Sequence, residues 1–78
     1  MALVRNIARR PKERQQRHEE TECFMSQFSD REGRYLQIET TGSQSRESKG
    51  KVNQVIQFDE QGASQLKQMI GETFPNLK

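Results

Sequence analysis

Thr21-Glu22-Cys23-Phe24-Met25-Ser26-Gln27-Phe28, then Ser29-Asp30-Arg31-Glu32-Gly33, then Arg34-Tyr35-Leu36-Gln37-Ile38-Glu39-Thr40-Thr41: this run decides the fold. The third piece alternates, with Leu36 and Ile38 pointing one way and Tyr35, Gln37 and Glu39 the other, which is the period of a half-buried strand. In the first piece Phe24, Ser26 and Phe28 fall on one face. The middle piece has hairpin length and ends in glycine, which tolerates positive φ. An antiparallel hairpin is therefore expected over residues 21–41.

Downstream, residues 42–50 hold two glycines and no apolar side chain, so they are expected to form a water-exposed loop. A third strand is expected from Lys51 to Phe58. Val52, Ile56 and Phe58 share its core face with Gln54 as the polar exception; Lys51, Asn53, Val55 and Gln57 lie opposite. Neither register is perfect, and a bulge in this strand would reconcile them. Asp59 suits a helix N-cap and Glu60 the positive end of the helix dipole. Ala63, Leu66, Ile70 and Phe74 recur at helical spacing, and Pro75 ends the element. Met69 and Thr73 widen that stripe beyond one contact surface. Leu66, Met69, Ile70 and Thr73 are accordingly the expected dimer interface.

Upstream the composition changes. Residues 1–18 carry six basic side chains (Arg5, Arg9, Arg10, Lys12, Arg14, Arg17) against Glu13, a net +5. The remaining residues carry seven basic against ten acidic, a net −3. This division suggests a basic mobile arm over residues 1–19 attached to a folded domain over residues 20–78. Leu3, Val4 and Ile7 form a short apolar element at helical spacing that could dock on the body. The whole chain has 78 residues, of which 29% are hydrophobic and 31% charged, with a mean hydropathy of −1.11. So thin a supply of core points to self-association. A lone cysteine, Cys23, excludes an intramolecular disulfide framework. The first residues lack the apolar run of a signal peptide, and no stretch reaches membrane-spanning length. A cytoplasmic protein with no membrane partner is the expectation.

The sheet face away from the helix is expected to carry Tyr35, Gln37, Asn53 and Gln57, with Arg34 and Lys51 near its edges. A ring can stack on a base, amides can meet base edges, and cations can neutralise phosphates. The plain alternative is a solvated sheet face, where amides are common. The segment Lys49-Gly50-Lys51, the strand after it, and Phe58-Asp59-Glu60-Gln61 leading into Ser64-Gln65-Leu66-Lys67-Gln68-Met69-Ile70 resemble the single-stranded-DNA-binding domain of the positive cofactor four family of transcriptional coactivators. Gly33-Arg34-Tyr35-Leu36-Gln37-Ile38 is similar to that family's strand after its first turn. The resemblance spans about residues 21–74. It implies a strongly curved antiparallel sheet followed by a C-terminal helix, dimerisation through the helices, and single-stranded DNA held on concave sheet surfaces. The chain is also similar to small uncharacterised bacterial proteins that share Tyr-Leu-Gln-Ile and Gly-Ser segments.

The expected architecture is α+β: a curved antiparallel sheet of three or four strands followed by one C-terminal helix, in a homodimer. The expected nucleic-acid-binding residues are Arg34, Tyr35, Gln37, Lys49, Lys51 and Asn53, Arg46 in the loop, and Arg9, Arg10, Lys12 and Arg14 in the arm. No enzyme is expected. His18, Glu19, Glu22 and Cys23 fit no common metal-ligand spacing, and no histidine is placed to activate Cys23. Ser43, Ser45 and Ser48 lack a nucleophile-elbow setting, and the glycines form no phosphate loop. No metal or cofactor is implied. Two functions remain: a dimer binding single-stranded DNA or RNA, associated with transcription, or a protein-interaction and assembly module that binds no nucleic acid.

Overall fold

A computed structural model describes residues 1–43 and 54–77. The elements in chain order are β1 (Ala2–Val4), β2 (Thr21–Asp30), β3 (Gly33–Ser43), β4 (Gln54–Phe58) and α1 (Glu60–Thr73). They form an α+β unit: one open four-stranded sheet in the order β1-β4-β3-β2, followed by a single helix. The hairpin forms as the alternation requires. Asp30 pairs with Gly33 across the turn, and the Asp30 carboxylate accepts hydrogen bonds from the Glu32 and Gly33 N–H groups at 2.8 and 3.2 Å. An aspartate closing its own turn in this way competes with strand continuation and fixes where the chain reverses.

The sheet differs from the expected wholly antiparallel one. β2–β3 and β3–β4 are antiparallel, but β1 runs parallel to β4, with Ala2, Leu3 and Val4 beside Ile56, Gln57 and Phe58. The sheet is mixed. Its fourth strand comes from the segment that composition marks as an arm, because Leu3 and Val4 supply strand-compatible side chains beside an otherwise unpaired β4 edge. Leu3 and Val4 lie in a strand and not in the helical turn that their spacing with Ile7 suggests, because three residues are too brief to show a period.

Opposed residues share a face, so the register sorts the side chains. Val4, Phe58 and Leu36 lie side by side across three strands, and Ala2, Ile56, Ile38 and Met25 form the next row. Leu36, Ile38, Ile56 and Phe58 therefore share one face with Gln54, as the sequence pattern has it. The β3–β4 pairing from Leu36/Phe58 to Thr40/Gln54 is unbroken. Among the described residues the irregularity lies in the other pair, where β2 advances from Thr21 to Cys23 while β3 spans Ser43 to Thr40. Gly42 sits in the extra stretch with φ of 84°, a conformation that side chains resist. The start expected for the third strand, Lys51 to Asn53, and most of the expected loop lie outside the described residues.

The helix begins as its sequence dictates. Asp59 is the N-cap, and its carboxylate accepts from the Gly62 N–H at 2.8 Å. The helix ends at Thr73, with the Phe74 N–H bonded back to the Ile70 carbonyl at 2.9 Å. α1 packs against β3 and β4. Gly62 is there because the chain passes too close for anything larger: a Cβ at that position would collide with the Val4 carbonyl oxygen. The residues after β1 run along the helix. The Ile7 N–H donates to Gln65 Oε1 at 2.6 Å, Gln65 Nε2 donates to Asn6 Oδ1 at 3.0 Å, and Arg9 donates to both Glu72 oxygens at 2.7 and 2.8 Å. The first half of the expected arm is thus strapped to the body through residue 9.

Candidate binding surface

The second sheet face collects Tyr35, Gln37 and Glu39 of β3, Val55 and Gln57 of β4, and Phe24, Ser26 and Phe28 of β2. This is the face on which the sequence placed Tyr35, Gln37 and Gln57. Their availability is another matter. Tyr35 lies opposite Phe28 and stacks on it, with ring centroids 5.0 Å apart and planes 21° from parallel. Only 9% of Tyr35 stays exposed. Burial, reinforced by the nearby Asp30 and Glu32 carboxylates, raises its phenol above the ordinary tyrosine range. The ring is therefore a packed element and not a free stacking platform. Phe28 covers it because both residues flank the same tight turn on the same face.

The two amides are also committed. Gln57 Nε2 donates to Gln37 Oε1 at 2.9 Å, and Gln37 Nε2 donates to Glu39 Oε1 at 2.6 Å. This chain ends in a carboxylate directly opposite Phe24. A negative charge in the middle of the face repels phosphate, and amides that bond each other have fewer groups to offer a base edge. Arg34 is exposed beside the hairpin turn. Arg46, Lys49, Lys51 and Asn53 lie outside the described residues, so the structure does not place them relative to this face.

What the face does offer is phenyl surface. Phe24 is 53% exposed and Phe28 40%, while on the opposite face of the same strand Met25 is 60% exposed. The sequence held the signal: β2 alternates Phe24 and Phe28 with Cys23 and Met25, so neither of its faces is polar. That pattern suits a strand covered on both sides. Among the described residues β2 has a sheet neighbour on one side only.

The arm residues divide. Arg5 pairs with Asp59 at 3.3 Å and Arg9 with Glu72. The Arg9 hydrogen bond, and then its charge, hold the Glu72 carboxyl below the usual carboxylate range. Among the described residues these are the ion pairs; Arg10, Lys12, Arg14 and Arg17 are exposed and outside them. The expected helix interface divides as well. Leu66 and Met69 are half-buried, whereas Ile70 and Thr73 are exposed, with the Thr73 hydroxyl donating to the Met69 carbonyl at 2.9 Å.

Among the described residues only Tyr35 and Phe58 are buried apolar side chains. A hollow beside the helix N-terminus is lined by Phe28, Arg34, Tyr35, Leu36, Asp59 and Ala63. Among the described residues no three His, Cys, Asp or Glu side chains gather as a metal site would need, and no helix is long and apolar enough to cross a membrane. No protein-family model, curated protein or solved structure matches the chain.

Proposed function

We infer that the protein is a non-catalytic interaction module whose working form is a homo-oligomer, and that its exposed apolar strand makes the contact. One observation carries the reading: among the described residues β2 is an edge strand of ten residues, every one of them exposed, with Phe24, Met25 and Phe28 among them. The small core supports it, since apolar surface left in water by one copy is available for burial against another. Sedimentation velocity from low to high micromolar concentration tests it. A mass at least twice the 9.1 kDa of the chain is expected, and a single monomeric species throughout defeats the reading.

A second reading, binding of single-stranded nucleic acid, draws support from the basic segment. Arg10, Lys12 and Arg14 are exposed and have no partner among the described ion pairs, which leaves their charge available to phosphates. Deleting the arm would be a poor test because it removes β1. Changing Arg10, Lys12 and Arg14 to glutamine keeps the fold. If each meets one phosphate of a labelled single-stranded oligonucleotide, the slope of log affinity against log salt should flatten by about 2. Identical slopes for the two proteins would remove the arm from any such role.

A further inference from the structure

We propose that two copies of this chain join edge to edge through β2, antiparallel, about a two-fold axis perpendicular to the sheet that passes between the two copies of Ser26. The proposal rests on the homo-oligomeric reading and adds to it the surface and the register.

Among the described residues, the outer side of β2 presents a row of backbone N–H and C=O groups with no strand beside it. Sheets protect such edges with short strands, lysine, proline or bulges. β2 has ten residues, and Cys23 to Ser29 contains no charge and no proline. The register irregularity sits at the Thr21 end, beyond this stretch. An edge of this kind is a template for another strand, and a second copy is the partner always present at equal concentration.

Symmetry then limits the register. Opposed residues in an antiparallel pair share a face, so with the axis perpendicular to the sheet one residue must face its own copy. With Ser26 on the axis, Phe24 faces the partner's Phe28, Phe28 faces the partner's Phe24, and Met25 faces the partner's Gln27. With Met25 on the axis, Phe28 would instead face the partner's Glu22. With Gln27 on the axis, Phe24 would face the partner's Asp30. Only the Ser26 register sets each exposed phenyl ring directly against another, the favoured cross-strand aromatic pairing. It also prolongs the existing Tyr35–Phe28 stack to a third ring on each side of the axis. Its one unfavourable opposition, Glu22 against the partner's Asp30, falls at the exposed margins, where salt screens it.

Directly opposed Cα atoms in an antiparallel pair lie within disulfide range, whereas diagonal neighbours are about 7–8 Å apart and cannot be bridged without movement. In a Cys23→Ser background, Ser26→Cys should therefore form a disulfide-linked dimer on mild oxidation. Met25→Cys and Gln27→Cys should each fail alone and cross-link when mixed. Cross-linking of Met25→Cys to itself, or of Met69→Cys on the helix in place of Ser26→Cys, would overturn the proposal while leaving the oligomeric reading intact. A monomeric wild type defeats both. Ser26→Lys supplies an independent arm. It places two like charges on the axis at an exposed position, so dimerisation should weaken at least ~10-fold with an unchanged circular dichroism spectrum. Undiminished dimerisation by Ser26→Lys would also overturn the proposal.

Discussion

At one edge of the sheet β1 is three residues long, and the chain leaving it is fastened along the helix by Ile7, Arg9 and their partners Gln65 and Glu72. At the other edge β2 runs for ten residues with phenyl and thioether side chains exposed and, among the described residues, no strap. The first edge is finished by the chain itself, while the second is left as a surface. The difference teaches where to look for function in a molecule with so little core. A short strand followed by a charged strap resists addition of another strand, and a long one uncharged from Cys23 to Ser29 invites it.

The sharpest way to break this comparison is a matched pair of substitutions. Phe58 is 8% exposed at the β4–α1 junction, and Phe58→Ala should cost about 3–5 kcal/mol, as truncation of a buried aromatic does. For a domain this small that is enough to unfold it. Phe28, 40% exposed, should cost the dilute monomer less when changed to Ala, about 1–3 kcal/mol from the stacking on Tyr35 and the part of the ring that is buried. Urea denaturation of both variants at low concentration checks the pair. Equal losses would mean that the two halves of the sheet are built alike.

Gly62→Ala probes the closed edge alone. The added methyl would collide with the Val4 carbonyl oxygen and must push the Val4 backbone away, so the higher helix propensity of alanine does not help. A loss of about 1–3 kcal/mol is expected, typical of overpacking. Faster amide exchange should be confined to Ala2–Val4 and the first turn of α1. Exchange that also quickens along β2 would show that the two edges are coupled.

The smallest effect concerns the strap. Glu72 has a folded-state pKa below its unfolded one, so its contribution to stability is present above the unfolded value. That contribution disappears as pH falls through the folded value. Because Arg9 and Glu72 are both largely exposed, the pair contributes little. Arg9→Gln should bring the Glu72 carboxyl back up toward the ordinary range in a carbon-detected NMR titration. The melting curves of the two proteins should converge in acid. An unmoved Glu72 would show that the strap is not held by this pair.

Much of the fold was legible because its signals are local. The alternation around Leu36 and Ile38, the turn at Asp30 to Gly33, the Asp59 cap and the Ala63–Leu66–Ile70 spacing each depend on residues within one turn or one strand. The face on which Tyr35, Gln37 and Gln57 lie was legible for the same reason, since a strand's period is independent of its neighbours. Whether those side chains remain available was not legible. Phe28 reaches Tyr35 only after the hairpin closes, and Gln57 reaches Gln37 only after β4 pairs with β3.

The sequence by itself determined three strands, a capped helix, a thin core and a charge division between the first residues and the body. Only the tertiary structure decided that Ala2–Val4 becomes a parallel fourth strand, that Arg5 and Arg9 are engaged while Arg10, Lys12 and Arg14 are not, and that β2 stands at an edge. Periodicity records which side chains share a face, through the geometry of one segment. Strand order and exposure depend on pairings between residues more than fifty positions apart, such as Val4 with Phe58, and no local pattern encodes those.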